Sequence, residues 1–448
     1  MVVILIRVIN MRNELWEQNV QIQSFPQLEK DIKTDVLIIG GGMAGVLCAY
    51  MLEQNGIDYI LVEQNKIASG VTANTTAKIT VQHGYIYSDI LKRYGVAAAK
   101  LYYKANNEAL QKYENLCKDI DCDFKKCASV VFSSDRKKTA RELTALGKIG
   151  VNASFLRELP LPLTIGGAIE IKDQAHFNPL KFIAAISKGL KIYENTKVLS
   201  FDGNKYITQK ASINAQKVIV ATHFPMFNKH GLYPLKMYQH RSYVLALKTK
   251  KAINDMYVDE SLSGLSFRGY KDMILLGGGS HRTGKKGGNY SELQRFAKKH
   301  LGPCDIVTRF ATQDGMTLDN IAYIGRYSPN TPNMFVATGF NKWGVTTSMV
   351  AATVLCDMIK GKENEYERLF SPSRSVFHPQ LLINTAESVT GLLKPTTPRC
   401  PHLGCALKWN KQEHSWDCGC HGSRFDKNGK VLNNPATDNL KLEQKNNR

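Results

Sequence analysis

The 448 residues predict an α/β chain: a parallel-sheet unit interleaved with antiparallel strands, then a small all-β block near the C-terminal end. Three observations predict it. A strand, a glycine turn, a helix and a second strand follow one another over residues 35–63. Short strand-like runs separated by Gly and Asn fill residues 151–273. Four of the ten cysteines crowd between Cys400 and Cys420, beside His402 and His421.

Composition narrows the class. Hydrophobic residues make up 43% and charged residues 22%, as in ordinary globular proteins. The length suggests two or three folding units. The formal net charge of +20 favours acidic partners. The basic residues are scattered, with no Lys/Arg block and no basic helix interleaved with aromatics, so no nucleic-acid partner is expected. The early apolar stretch at residues 2–9 is broken by Arg7 and falls short of the roughly 20 residues of a spanning helix. It also lacks the features of a signal peptide. These readings predict a cytoplasmic protein with no transmembrane segment, for which Met11 is a second candidate start.

The elements follow in order. Residues 1–33 read as an N-terminal extension with little periodicity. Residues 35–40 form a short apolar run typical of a buried parallel strand. A helix is expected over 43–54 and the next strand over 58–63. Residues 89–148, rich in Lys, Ala and Leu, read as mostly helical. Strands are expected at 217–221, at 273–276 (ending in Gly277–Gly279) and at 334–337, with an apolar helix at 348–359. Residues 371–397, carrying Ser-Pro-Ser and Lys-Pro-Thr-Thr-Pro, read as a linker. The unit boundaries are therefore 34–370 and 398–444.

The run Gly40-Gly41-Gly42-Met43-Ala44-Gly45 fits G-x-G-x-x-G. It follows a strand, opens a helix and is trailed by an acid, Glu63, at the end of the next strand, which is the context that gives the pattern meaning. Gly40 permits the tight turn, Gly42 the close approach of a pyrophosphate, and Gly45 close helix–strand packing. The helix N-terminus then meets the phosphates with unpaired N–H groups. Glu63 is placed to bind the adenosine ribose. This is a Rossmann-like dinucleotide site.

Later features select FAD. Ala68-Ser69-Gly70 and Thr75-Thr76-Ala77 follow the second strand, residues 218–222 end in Ala221-Thr222, and Asp319–Gly325 and Gly339–Gly344 precede the last apolar helix. Together these resemble the D-amino-acid oxidase/glycine oxidase superfamily of flavoproteins over residues 34–369. The resemblance implies FAD contacts at Ser69, Gly70, Thr76, Ala221, Thr222, Gly325, Gly339, Asn341, Lys342, Trp343, Gly344 and Thr346, with Val198 on the adenine side. It joins them to the contacts of Gly40, Gly42, Met43, Ala44, Gly45 and Glu63. The second glycine cluster, Gly277–Gly284, has Arg282 where a dinucleotide fingerprint needs Gly, and reads instead as a strand and turn of the substrate region. Arg241, Arg268 and Arg282 are candidates for gripping a substrate carboxylate, because a guanidinium offers a two-pronged donor. Arg241, His281, Arg282 and Lys342 are the catalytic candidates.

Cys400-Pro401-His402 and Cys418-Gly419-Cys420-His421 put C-x-H and C-x-x-H on two loops. Two thiolates suit one iron and two imidazoles the other, the ligand set of a Rieske [2Fe–2S] centre. A Cys2His2 zinc site is the competing reading. Residues 398–440 resemble the cytochrome bc-complex type of Rieske protein. That resemblance implies a disulfide between Cys405 and Cys420, a cluster-facing hydroxyl at Ser423, and a third loop containing Gly429, Pro435 and Ala436. Gly419 stands where Pro is usual and Asn434 where Gly is common. The stretch before Cys400 is too short for the usual first strands of the domain. Trp409 and Trp416 are expected in its core. Cys117, Cys122 and Cys127, spaced by five, would not share a helical face and are expected to be structural thiols. His83, His176, His223 and His240 are also expected to be structural.

The expected function is FAD-dependent oxidation of a small amine or amino acid, with electrons relayed through the Rieske cluster to an unknown electron-acceptor protein, an acidic one being favoured by the excess positive charge. The alternative is a non-enzymatic electron carrier or redox sensor holding the same two groups.

Overall fold

A computed structural model of the chain describes residues 14–17, 20–227, 230–261, 264–395 and 398–442. Met1, Met11 and residues 443–444 lie outside the described residues. Within them the strands form three sheets.

The first sheet carries the nucleotide-binding pattern. Strand Ile32–Ile39 lies between Tyr59–Val62 and Ser212–Val220, parallel to both, and Met334–Thr338 continues the parallel order beyond Ser212–Val220. Its central strands are buried on both faces, which accounts for their unbroken apolar runs. Helix Met43–Gln54 has buried residues around most of its circumference because it packs against helix Gly344–Ile359, itself nearly all buried. The expected bounds of the first helix match; the second begins four residues earlier than expected, at the turn after Gly339.

The second sheet is built from distant segments in the order Cys304–Thr317, Met237–Thr249, Met273–Arg282, Ser266–Tyr270, Met256–Asp259, Lys125–Ser133, Gly167–His176 and Lys78–Ile79. Two expectations change here. Lys125–Ser133 is a strand inside the region read as helical, between helices Ile86–Leu116 and Arg136–Lys148. Its Val130-Val131-Phe132 core finds partners at residues 167–171 and 256–259, which no local pattern announces. Strand Met273–Arg282 does not stop at its glycines: Gly277 and Gly278 pair on within it, where a Cβ on Gly278 would lie 3.0 Å from Leu265 and 3.1 Å from Leu293.

The described part of the N-terminal segment is docked rather than loose. Trp16 is fully buried, donates from Nε1 to the Thr75 carbonyl at 3.0 Å and meets Tyr270 edge-on at 4.7 Å between centroids. Glu194 accepts from the Phe25 and Ile67 amides at 3.2 and 2.9 Å and tethers residues 20–31 to the sheet.

The third sheet is antiparallel, in the order Leu407–Asn410, Ser415–Cys418, Arg424–Asp426 and Val431–Asn433. Trp409 and Trp416 pair across it at 5.1 Å, both half-buried, with Trp416 packed against the unit's apolar core. The segment read as a linker contains a helix, Pro379–Leu393, started by Pro at N1 and by a His378 side chain that caps it. This helix lies against the cysteine loops, with Gly391 beside Cys420 and Ser388 beside His421.

Candidate functional site

A cavity of about 830 Å³ has walls contributed by all three sheets. The Gly40–Ala44 turn forms one end. A Cβ on Gly40 (φ 109°) would lie 2.6 Å from the Ala221 carbonyl oxygen, and one on Gly45 would lie 1.9 Å from the Gly40 oxygen. Both positions exclude a side chain, whereas a Cβ on Gly42 would meet only Thr72 Oγ1 at 3.5 Å and leave the approach to the helix open. Thr72 Oγ1 accepts from the Met43 amide at 3.0 Å, and the N-terminal turn Gly42–Ala44 of helix Met43–Gln54 lines the cavity with its positive end. Glu63 accepts from the Gly41 amide at 2.8 Å and the Asn65 amide at 2.9 Å, and burial raises its carboxyl despite these bonds. It lines the cavity with acceptor capacity left on both oxygens.

The opposite wall is the Gly339–Gly344 turn. Asn341 and Lys342 are both left-handed, at φ 49° and 74°, a costly arrangement for two successive non-glycine residues. The Asn341 side chain holds it: Oδ1 accepts from the Thr317 amide at 2.8 Å and Nδ2 donates to the Gly339 carbonyl at 2.6 Å. Lys342 is thereby placed near Asp314 on the neighbouring strand. Burial lowers Lys342 to about 8, against the pull of Asp314. Burial likewise raises Asp314 to about 6, against the pull of Lys342 and Arg241. Trp343 stacks on His83 at 4.9 Å, and burial pushes that imidazole down to about 3. His83 Nε2 is buried without a hydrogen-bond partner at the cavity wall, as a polar atom awaiting a ligand would be.

Of the residues expected at FAD, Gly40, Gly42, Met43, Ala44, Glu63, Ser69, Gly70, Thr76, Val198, Ala221, Thr222, Gly339, Asn341, Lys342, Trp343 and Gly344 line the cavity. Gly45 supports the turn from behind. Gly325 and Thr346 do not line it: Gly325 sits in strand Tyr323–Arg326, and Thr346 Oγ1 accepts from the Thr80 amide at 3.0 Å. Thr72, His83, His223, Ser242 and Asp314 line it without having been singled out as ligand contacts, since their places depend on how distant strands pack.

The arginines are engaged elsewhere. Arg241 pairs with Glu413 of the C-terminal unit. Arg282 donates to the Gly419 and Cys420 carbonyls at 3.2 and 3.0 Å, and to Asn384 at 2.9 Å. Arg268 is fully buried, bonds the Thr76 and Phe177 carbonyls and lies over Trp16. His281 Nδ1 lies 3.1 Å from the Gly279 carbonyl, outside the cavity. Lys342 is the one catalytic candidate of the four that faces the cavity.

The cysteine loops fit an iron–sulfur group. Cys400 and Cys418 are buried, and the His402 and His421 rings lie 5.0 Å apart between centroids. His421 Nδ1 is buried with no hydrogen-bond partner. The Cys405, Cys418 and Cys420 sulfurs lie within 4.8 Å of one another. All ten cysteines are thiols in this structure, so the bond expected between Cys405 and Cys420 is not made here. Ser423 is fully buried and its Oγ accepts from the Ala436 amide at 3.0 Å, linking the second and third loops. Cys117 and Cys122 come together at 3.3 Å between sulfurs because helix Ile86–Leu116 ends before them.

The two departures from the Rieske pattern both fall at the contact with the flavin unit. Gly284 packs so closely that a Cβ there would lie 2.6 Å from the Gly419 nitrogen, the atom to which a proline ring would attach its Cδ. Asn434 Nδ2 donates to the Thr222 carbonyl at 2.5 Å and the Phe224 carbonyl at 3.2 Å; a glycine could make neither bond. Phe224 meets His402 edge-on at 6.1 Å, and Gln313 Nε2 donates to the Gly422 carbonyl at 2.8 Å. Residues 430–434 of the third loop thus form a wall of the same cavity that the Gly40 turn opens.

Comparison with known proteins agrees with this geometry. Residues 35–358 match the FAD dependent oxidoreductase family (DAO), and residues 363–443 match the Rieske [2Fe-2S] domain. The protein YhfW of Bacillus subtilis (strain 168) is 34% identical over 95% of this chain and 96% of its own length. The cytochrome b6-f complex iron-sulfur subunit 1 of Nostoc sp. is 49% identical, but over only 10% of this chain and 24% of its own. Glycine oxidase from Geobacillus kaustophilus shares the fold, with a TM-score of 0.65 at 18% identity over 77% of this chain and 99% of that one. The chain belongs to the DAO family of FAD-dependent oxidoreductases and carries a Rieske [2Fe–2S] domain at its C-terminal end.

Proposed function

We propose that the protein oxidises a small amine or amino acid and relays the electrons through its Rieske centre to an acceptor protein. The observation that carries this reading is the shared cavity: residues 430–434 of the Rieske unit wall the space that the flavin unit's glycine turn opens. When bound, FAD supplies two-electron chemistry that can be released one electron at a time, and the cluster supplies one-electron transfer.

The chain's own residues orient and exchange protons. Lys342 would meet a substrate carboxylate and Asp314 its ammonium, since both line the cavity where the three arginines do not. Asp314 is charged above about pH 6 and Lys342 below about pH 8, so both roles coexist near neutrality. Cys400 and Cys418 would hold one iron and His402 and His421 the other. Cys405 and Cys420 would close as a disulfide between the two loops. The Asn434 tether and the Phe224–His402 contact join the Rieske unit to the flavin unit. We assign the protein to the cytoplasm.

The test is an anaerobic titration of purified protein with a panel of amines and amino acids. Flavin bleaching followed by the EPR signal of the reduced cluster is expected. Flavin reduction with a persistently oxidised cluster would defeat the relay. No response to any of the panel, with ready reduction by a protein donor, would make the chain an electron carrier instead.

A further inference from the structure

Helix Pro379–Leu393 is reversed relative to an ordinary surface helix. Its inner face is small and polar. Asn384, its one fully buried residue, donates to the Leu235 carbonyl at 3.1 Å and accepts from Arg282. Ser388 Oγ lies 3.4 Å from His421 Nε2, and Gly391 sits against Cys420, whose sulfur would lie 2.2 Å from a Cβ there. The outer face is apolar. Leu382, Ala386, Val389 and Leu393 recur at spacings of four, three and four, which is a single stripe, with Ile383 beside it. Leu382 is 73% and Leu393 77% exposed, and Phe377, just before the helix, is 88% exposed. Leu392 reaches Gly404 and joins the stripe to exposed Leu403, the neighbour of His402. An apolar face this continuous is not left to water without a reason.

Charge selects what covers it. The stripe carries no acid, and the helix's single acid, Glu387, is paired with Lys285 at 2.5 Å. Cations stand at both ends: Arg93 donates to the Phe377 carbonyl at 2.8 Å, and Lys394 and Arg399 follow the helix, Arg399 donating to the Leu392 and Gly404 carbonyls. The whole chain carries +20. No helix among the described residues is long and apolar enough to cross a membrane, but a helix of this length can lie in a bilayer surface for about 22 Å.

We propose that this face docks the protein on an anionic membrane surface. The apolar stripe enters the acyl boundary and Arg93, Lys394 and Arg399 meet lipid phosphates. The docked pose carries the Cys400–Cys405 loop to the bilayer. The inference stands on the helix and does not depend on the identity of the substrate.

The experiment uses the holoprotein and vesicles, either of phosphatidylcholine alone or of phosphatidylcholine mixed with phosphatidylglycerol. Sedimentation with the mixed vesicles is expected, weakening as salt is raised. The L382E/V389E/L393E variant should lose at least about tenfold in vesicle affinity, and K394E a smaller share. Unchanged flavin absorbance and cluster EPR show that the variants are folded. Failure of the wild type to bind mixed vesicles, or equal binding by the triple variant, overturns the proposal. So does a wild-type dimer that the triple variant converts to monomer, since a second copy would then cover the face.

Discussion

Arg241 and Glu413 form a two-pronged ion pair between the flavin and Rieske units, with Arg241 Nε donating to Glu413 Oε2 at 2.9 Å and both side chains at or below 10% exposure. Arg424 adds a second cation 3.2 Å from the same carboxylate. Burial alone would raise Glu413, but the two guanidinium groups outweigh it and hold the carboxyl near 2. A depressed acid stabilises the fold above its unfolded value and loses that contribution as pH falls through the folded one. The contact should therefore be constant from neutrality to about pH 5 and fail between about pH 4.5 and 2. Glu413→Gln leaves Arg241 buried and should cost about 3–5 kcal/mol, measured by denaturant unfolding followed through cluster absorbance.

Asn434→Gly restores the residue common in free-standing Rieske proteins and removes the bonds to Thr222 and Phe224. The cluster should assemble normally while its reduction by substrate slows. Rapid-mixing kinetics of the two chromophores would show flavin reduction unchanged and cluster reduction delayed. An undiminished second phase would remove Asn434 from the coupling.

Gly45→Ala places a methyl group 1.9 Å from the Gly40 carbonyl oxygen, on rigid backbone. The turn must open, and the purified variant should retain iron while losing flavin. Flavin and iron assays on one preparation check this.

Turnover should follow a bell-shaped pH profile with limbs near 6 and 8, set by Asp314 and Lys342. Asp314→Asn should flatten the acid limb and Lys342→Met the alkaline one. Because burial dominates both shifts, raising salt should move the limbs little.

His421→Ala removes the buried imidazole whose Nδ1 has no hydrogen-bond partner. The protein should lose the Rieske EPR signal and about half or more of its iron with flavin retained. Survival of the signal would reassign the ligand set.

Much of this protein was legible in its sequence, because much of it is decided over short distances. A glycine turn between a strand and a helix specifies its own backbone, and helix Met43–Gln54 falls where its pattern places it. The residues expected to hold the cluster sit on two short loops, so their spacing is local information. What only the tertiary structure decided is long-range. Strand Lys125–Ser133 exists because its partners at 167–171 and 256–259 complete it. The fate of Arg241 depends on Glu413, 172 residues away, since a buried guanidinium takes whichever carboxylate packing brings to it. The polar inner face of helix Pro379–Leu393 and the Asn434 tether follow the same logic. The sequence named two cofactor sites; packing made the third Rieske loop a wall of the flavin unit's cavity.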